Sequence, residues 1–176
     1  MTFTETNFLP HDPGPVWSPL EAADIGALAE LANRIHRSLN ERPEVFAEKL
    51  QLFPDGCRKL TRGRKLCGYG LTHPWKLGDI PALDDFLRAL PLAPDCLFVH
   101  DVAVSREVRG KGAPRSFVDY LISIARSLDI KTLALVAVSG SGTYWSQLGF
   151  QQHLQPKLAR KLKEYGDDAI YMRREL

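Results

Sequence analysis

The chain has 176 residues, 44% of them apolar and 25% charged, with a formal net charge of +2, which suits one globular domain burying about 70% of its unfolded surface. So small a charge marks neither a nucleic-acid nor a membrane partner, and no apolar stretch approaches the ~18 residues of a membrane helix. Cys57, Cys67 and Cys96 are odd in number and widely spaced, which argues against a disulfide scaffold or a zinc site; Glu5, His11 and Asp12 among early prolines do not resemble a signal peptide, so a cytoplasmic location is expected.

Residues 1–15, rich in Pro and Thr, read as an extended N-terminal arm, with one domain over 16–176. A short edge strand is expected at 16–18. Leu20, Ile25, Leu28, Leu31 and Ile35 predict a helix from Pro19 to about His36, with Ser18 as its N-cap. A second helix spans 43–52, because proline suits a first helical turn, and Pro54-Asp55-Gly56 marks the turn after it. Strands at 57–61 and 65–72 form a hairpin through Arg62-Gly63-Arg64. Gly68 and Gly70 inside the second strand point to a bulge or a close approach by another group. Residues 73–94 form a proline-rich insertion with one short helix over 83–90. Then come a strand at 96–104, a helix at 113–128, a strand at 132–138, a short helix at 143–148, a loop or helical turn at 156–165, and a last strand at 169–173. The runs 96–104 and 132–138 are almost continuously apolar, as strands covered on both faces are, so both belong at the centre of the sheet. The class is α/β (α+β): a single domain with a mixed central sheet flanked by helices on both faces.

Residues 102–115 are the most informative stretch. An apolar strand stops, a basic glycine loop follows, and a helix with Phe117, Leu121, Ile124 and Leu128 on its apolar face begins at once. First-turn N–H groups lack intrahelical partners, so a glycine loop opening a helix makes an anion site. Arg109, Lys111 and Arg115 add positive charge. No GxxxxGK[ST] pattern is present, which sets a nucleotide loop aside.

Arg109-Gly110-Lys111-Gly112-Ala113-Pro114, followed some thirty residues later by Tyr144-Trp145-Ser146-Gln147-Leu148-Gly149-Phe150, resembles the signature of the GCN5-related N-acetyltransferase (GNAT) superfamily. The element order is similar to that family's over about residues 16–176. The resemblance implies acetyl-CoA as cofactor and direct acetyl transfer to a primary amine of a small molecule or peptide; with the cysteine pattern and small charge above, no metal, no nucleic acid and no membrane are expected, and a monomer or homodimer. It further implies that Val102, Ala103 and Val104 pair with pantetheine and that Arg109, Gly110, Lys111, Gly112 and Ala113 hold the pyrophosphate. Three positions depart from the pattern. Pro114 has no N–H to offer, although a first helical turn tolerates it. Val138 stands where an asparagine is common, with Ser139 or Ser141 as substitutes. Trp145 stands where many members carry an acidic tyrosine, and an indole is no useful acid.

His100 interrupts an apolar strand, and alternation places it on one face with Phe98, Val102 and Val104 and opposite Asp101. It is the candidate base, because imidazole titrates near neutrality; the alternative is a buried histidine held by Asp101 or His73. Asp101 reads as a partner for buried backbone or a histidine. Tyr144 and Ser141 are the nearest replacements for the missing acid. Trp145 reads as a wall against the pantetheine or acetyl group, or as core. His73 and Trp75, at a strand end, are candidates for the acceptor pocket, or for anchoring a loop. His36 reads as a cation at a helix C-terminus, and Asp79, Asp84 and Asp85 as a solvated run or a lure for a cationic amine. The alternative to an active acetyltransferase is an acyl-CoA-binding module with weak or no turnover.

Overall fold

The computed structural model describes residues 14–37, 39–110 and 112–176. The expected arm therefore lies outside the described residues except for its last two, and Lys111 lies outside them too. In chain order the elements are β1 (Val16–Pro19), α1 (Ile25–Ile35), α2 (Pro43–Leu52), β2 (Cys57–Arg62), β3 (Lys65–Trp75), β4 (Cys96–Val104), α3 (Ala113–Ser127), β5 (Thr132–Ala137), α4 (Gly142–Gln147), β6 (Gln151–Gln152), α5 (Ala159–Leu162) and β7 (Ile170–Glu175). They build a seven-stranded sheet in the order β1-β2-β3-β4-β5-β7-β6. Every pairing is antiparallel except β4 with β5. β4 and β5 are central, as their apolar runs require.

Helices cover both faces. On one, Phe117, Val118, Leu121 and Ala125 of α3 pack on Leu97, Val99, Leu133 and Leu135. The expected apolar face of α3 is rotated at its end: Leu128 is 45% exposed, and Val118 and Ala125 take the inward positions. On the other face, α1 and α2 pack on Tyr69, Leu71 and Ala103. Gly70 lets the layers meet, since a Cβ there would lie 2.3 Å from the Phe117 ring.

Two expected elements differ. The first helix starts at Ile25, not Pro19, because residues 16–19 pair with β2 and the Leu20 N–H donates to the Cys57 carbonyl at 3.1 Å. A 3₁₀ turn at Ala22–Asp24 makes the transition, and Ser18 caps nothing. The helix expected over 83–90 is absent. Asp84 and Arg88 have positive φ, and the backbone N–H groups of Leu87 and Arg88 donate to Glu48 at 2.7 and 2.8 Å instead of to helical carbonyls. Arg42 clamps the same loop through its guanidinium on both Asp84 oxygens at 3.0 Å.

Strand β4 carries the feature that shapes the site. Leu71 pairs with Asp101 and Thr72 with Val99, so His100 is an extra, unpaired residue. Such a bulge breaks alternation. His100 and Asp101 both face the α1 side, whereas Val102 and Val104 pack on the α3 side with Leu97 and Val99. The expectation that His100 shares a face with Val102 and Val104, opposite Asp101, is thus corrected.

Candidate active site

β4 and β5 pair only over Leu97–Val99 with Leu133–Leu135. Beyond that point the two strands part, and the gap opens into a cleft of about 790 Å³. Its walls are Val99 to Val104 of β4, Leu135 and Val136 of β5, Ser141, Tyr144 and Trp145 around α4, and the α3 loop at Arg109, Gly110, Gly112, Pro114 and Arg115. Ile35 at the end of α1 and His36, Leu39 and Glu41 between α1 and α2 close the opposite side together with Leu83 and Tyr165.

The glycine loop is built to receive a ligand. Gly110 and Gly112 have φ of 76° and 75°, a region that L side chains rarely adopt, and a Cβ on either would meet nothing within 4 Å. Gly112 is the N-cap of α3, and Pro114 sits within the helix's first turn, where a missing N–H costs no helical bond. The Arg109 guanidinium donates to the Val104 carbonyl at 3.2 Å and stays exposed at the mouth. Ala113 is buried, and its carbonyl already accepts from Trp17 and Ser116, each at 2.9 Å. On the β5 side, β4 has no partner strand after Val99, which leaves the edge at Val102 to Val104 open to the cleft.

Opposite the loop lies a buried polar group. His100 Nε2 is 3.2 and 3.3 Å from the two oxygens of Glu41, with side chains only 2% and 7% exposed. His100 Nδ1 is buried without a partner. Asp101 accepts from the Tyr69 hydroxyl at 2.5 Å and forms an ion pair with His36 Nε2 at 3.1 Å. Burial opposes charge on both members of that pair, but their mutual attraction prevails, so the His36 pKa lies above and the Asp101 pKa below the ordinary value. Lys49 is buried beneath this group, its pKa lowered by burial against the pull of Glu41.

The other expected residues fall into two sets. Tyr144 lies on the cleft, 40% exposed, with partial burial raising its pKa. Trp145 also lines the cleft but is buried edge-on against Phe150, with ring centroids 5.4 Å apart, so it serves as wall and core together. Ser141 lines the cleft at the start of α4. His73 and Trp75 are not brought to it. His73 is fully buried, 5.7 Å from the His100 ring, and burial holds its pKa well below the usual value. Trp75 packs beneath the 76–95 loop. Glu41 escaped the sequence reading. Its only signal is an acid between two helices, and nothing local says that this connection folds over β4.

Among the described residues no group of His, Cys, Asp and Glu is placed to hold a metal, and no helix is long and apolar enough to cross a membrane. A family model described as the acetyltransferase (GNAT) family matches residues 27–150. A comparison with curated proteins finds no match. Among solved structures, the chain is similar to N-acetylglutamate synthase from Neisseria gonorrhoeae, complexed with coenzyme A and N-acetyl-glutamate (16% identity, TM-score 0.68). That likeness covers 92% of this chain but 35% of the synthase, so the chain spans about a third of that protein's length. It is also similar to the ribosomal-protein-S18-alanine N-acetyltransferase from Escherichia coli (18% identity, 92% and 93% covered, TM-score 0.62). A third likeness is to the GphF GNAT-like decarboxylase in complex with isobutyryl-CoA (11% identity, 91% and 98% covered, TM-score 0.72). At these identities the likeness is one of fold.

Proposed function

The chain belongs to the acetyltransferase (GNAT) family, and from that premise we propose that it moves an acetyl group from acetyl-CoA directly to a primary amine of a small molecule or peptide. One observation carries the reading: a single cleft joins an open glycine loop on a helix N-terminus to a buried histidine–carboxylate pair. The donor set suits a CoA thioester. Arg109, Arg115 and the amides around Gly110 and Gly112 suit its pyrophosphate, and the free edge of β4 at Val102 to Val104 suits its amide-bearing arm.

Bound acetyl-CoA supplies the activated acyl carbon and a thiolate leaving group. The chain's own residues manage the protons. Glu41 accepts from His100 Nε2–H, which fixes the neutral tautomer with a lone pair on Nδ1. That lone pair takes the proton an ammonium must lose before it attacks. His36, whose pKa is raised by Asp101 against burial, is already paired with that carboxylate and is less suited to this task. Backbone amides near Val102 polarise the carbonyl. Tyr144 is the phenol on the cleft that can return a proton to sulfur, and with a thiol pKa near ~8.5 little help is needed.

Coenzyme A release measured against a panel of amines, beside acetyl-CoA affinity, tests the reading. Amine-dependent release is expected. Because an indole occupies the Trp145 position, the second reading is a module that binds acyl-CoA without turning it over. Tight binding with no amine-dependent release would establish that module and overturn the enzyme.

A further inference from the structure

A second groove, of about 840 Å³, adjoins the cleft, with which it shares His36 and Arg109. It runs between the C-terminal turn of α1, the start of β3 and the end of β4. Arg34, Arg37, Lys65, Arg106 and Arg109 line it, against Glu107 as the one carboxylate. Glu107 is committed to Lys65 at 2.8 Å. Among the described residues, no carboxylate lies within ion-pair distance of Arg34, Arg37 or Arg106, and all three side chains are exposed. A chain of net charge +2 thus gathers uncompensated cations at one place. Like charges brought together without partners repel, so such a cluster favours an anionic ligand and draws it in over a distance.

We infer that this groove binds the acidic portion of the acceptor, so that the substrate is a peptide amine followed by Asp or Glu residues. The inference rests on the acetyl-transfer reading, because the groove meets, at His36, Leu39 and Arg109, the same cleft that Glu41 and His100 line. Size favours a peptide over a single amino acid: the groove matches the cleft in volume and takes several side chains. The groove shares Arg109 with the pyrophosphate seat but extends away from it, since Leu31, Arg34 and Ile35 carry it to the α1 side while α3 carries the glycine loop on the other face. Of the acidic residues in the 76–95 loop, Asp84 is already held by Arg42, and none lines the groove.

The test uses two fluorescent-tagged peptides with free N-termini, Ala-Glu-Glu-Glu and Ala-Gln-Gln-Gln, on the full chain saturated with CoA. Anisotropy should show binding of the acidic peptide that weakens with salt and drops about tenfold in the Arg34→Gln/Arg37→Gln double variant, with a comparable loss in Arg106→Glu. With acetyl-CoA, the ratio of kcat/KM for the acidic over the neutral peptide should fall by the same factor. Equal binding of both peptides, or an acidic preference that the variants leave intact, would overturn the inference whatever the activity. Tighter binding of a short oligonucleotide than of the acidic peptide would overturn it as well. Loss of affinity for CoA but not for 3′-dephospho-CoA in the variants would reassign the groove to the cofactor. Acidic-peptide binding without acetyl transfer would sink the enzyme reading and leave the groove standing.

Discussion

His100 follows Phe98 onto the α1 side of the sheet, and there β4 carries one residue more than β3 across from it. That bulge turns Asp101 to the same side, so two polar clusters form on successive residues: Glu41 with His100, and His36 with Asp101 and Tyr69. If His100 is the base proposed above, removing it should slow chemistry without loosening the cofactor. His100→Ala is expected to lower kcat by about 10²-fold, and Glu41→Gln by less, with KM for acetyl-CoA within a factor of about two. Unchanged steady-state kinetics in His100→Ala would remove it from the mechanism. The His36–Asp101 pair predicts a pH dependence of stability. His36 has its pKa raised above 6.5 on folding, so its contribution is complete below that value and fades as pH climbs through the raised one. Asp101 has its pKa depressed below 3.8, so its contribution is present above that value and is lost as pH falls through the lower one. Urea midpoints of wild type and His36→Gln should therefore differ most near about pH 5–6 and converge toward alkaline pH. A gap that widens with rising pH would contradict the pairing.

At the scale of elements, the strands and helices follow sequence pattern where local and tertiary demands agree. Pro43 opens α2, and the apolar runs of β4 and β5 form the centre of the sheet. Gly70 was readable as a point of close approach, and the neighbour it admits is Phe117 of α3. Gly70→Ala is expected to cost about 1–3 kcal/mol through overpacking, measured by urea unfolding. Part of that loss should return in the double variant Gly70→Ala/Phe117→Leu, and additive losses would show that the two sites do not touch. Gly112→Ala meets no neighbour, so its cost comes from φ of +75° alone, about 1–2 kcal/mol. It should also weaken CoA, because the backbone of the α3 N-cap must move to relieve that strain; equal affinity by calorimetry would remove the loop from the CoA seat. Patterns failed where a partner distant in sequence overrode local propensity. Pro19 and Leu20 were drawn into pairing with β2, and Glu48 and Arg42 hold residues 84–88 in a loop.

For the whole molecule, the cleft exists because one parallel strand pair stops after three residues while both strands continue. α3 and its loop cover one side of the opening, and the α1–α2 connection covers the other. A ligand seated there binds the folded chain alone, so CoA should raise thermal stability with the logarithm of its concentration, by about 2.7 kcal/mol at a hundredfold excess over Kd. A melting temperature that ignores CoA would contradict the cleft as the cofactor seat.

The sequence by itself determined the class of fold, the central strands and the glycine loop on a helix N-terminus. Those signals are local: apolar periodicity, turn residues and the φ > 0 that Gly110 and Gly112 permit. It also placed His100, Tyr144 and Trp145 in the right elements. Only the tertiary structure decided which faces and partners they have. A single extra residue in β4 breaks alternation at His100, so strand periodicity keeps His100 with Phe98 but wrongly groups it with Val102 and Val104 and opposes it to Asp101. It likewise took the folded chain to bury His73 away from the cleft, bring Glu41 to His100 across 59 residues of sequence, and gather Arg34, Arg37 and Arg106 around one groove. Contacts between residues so far apart leave no periodic trace in the chain.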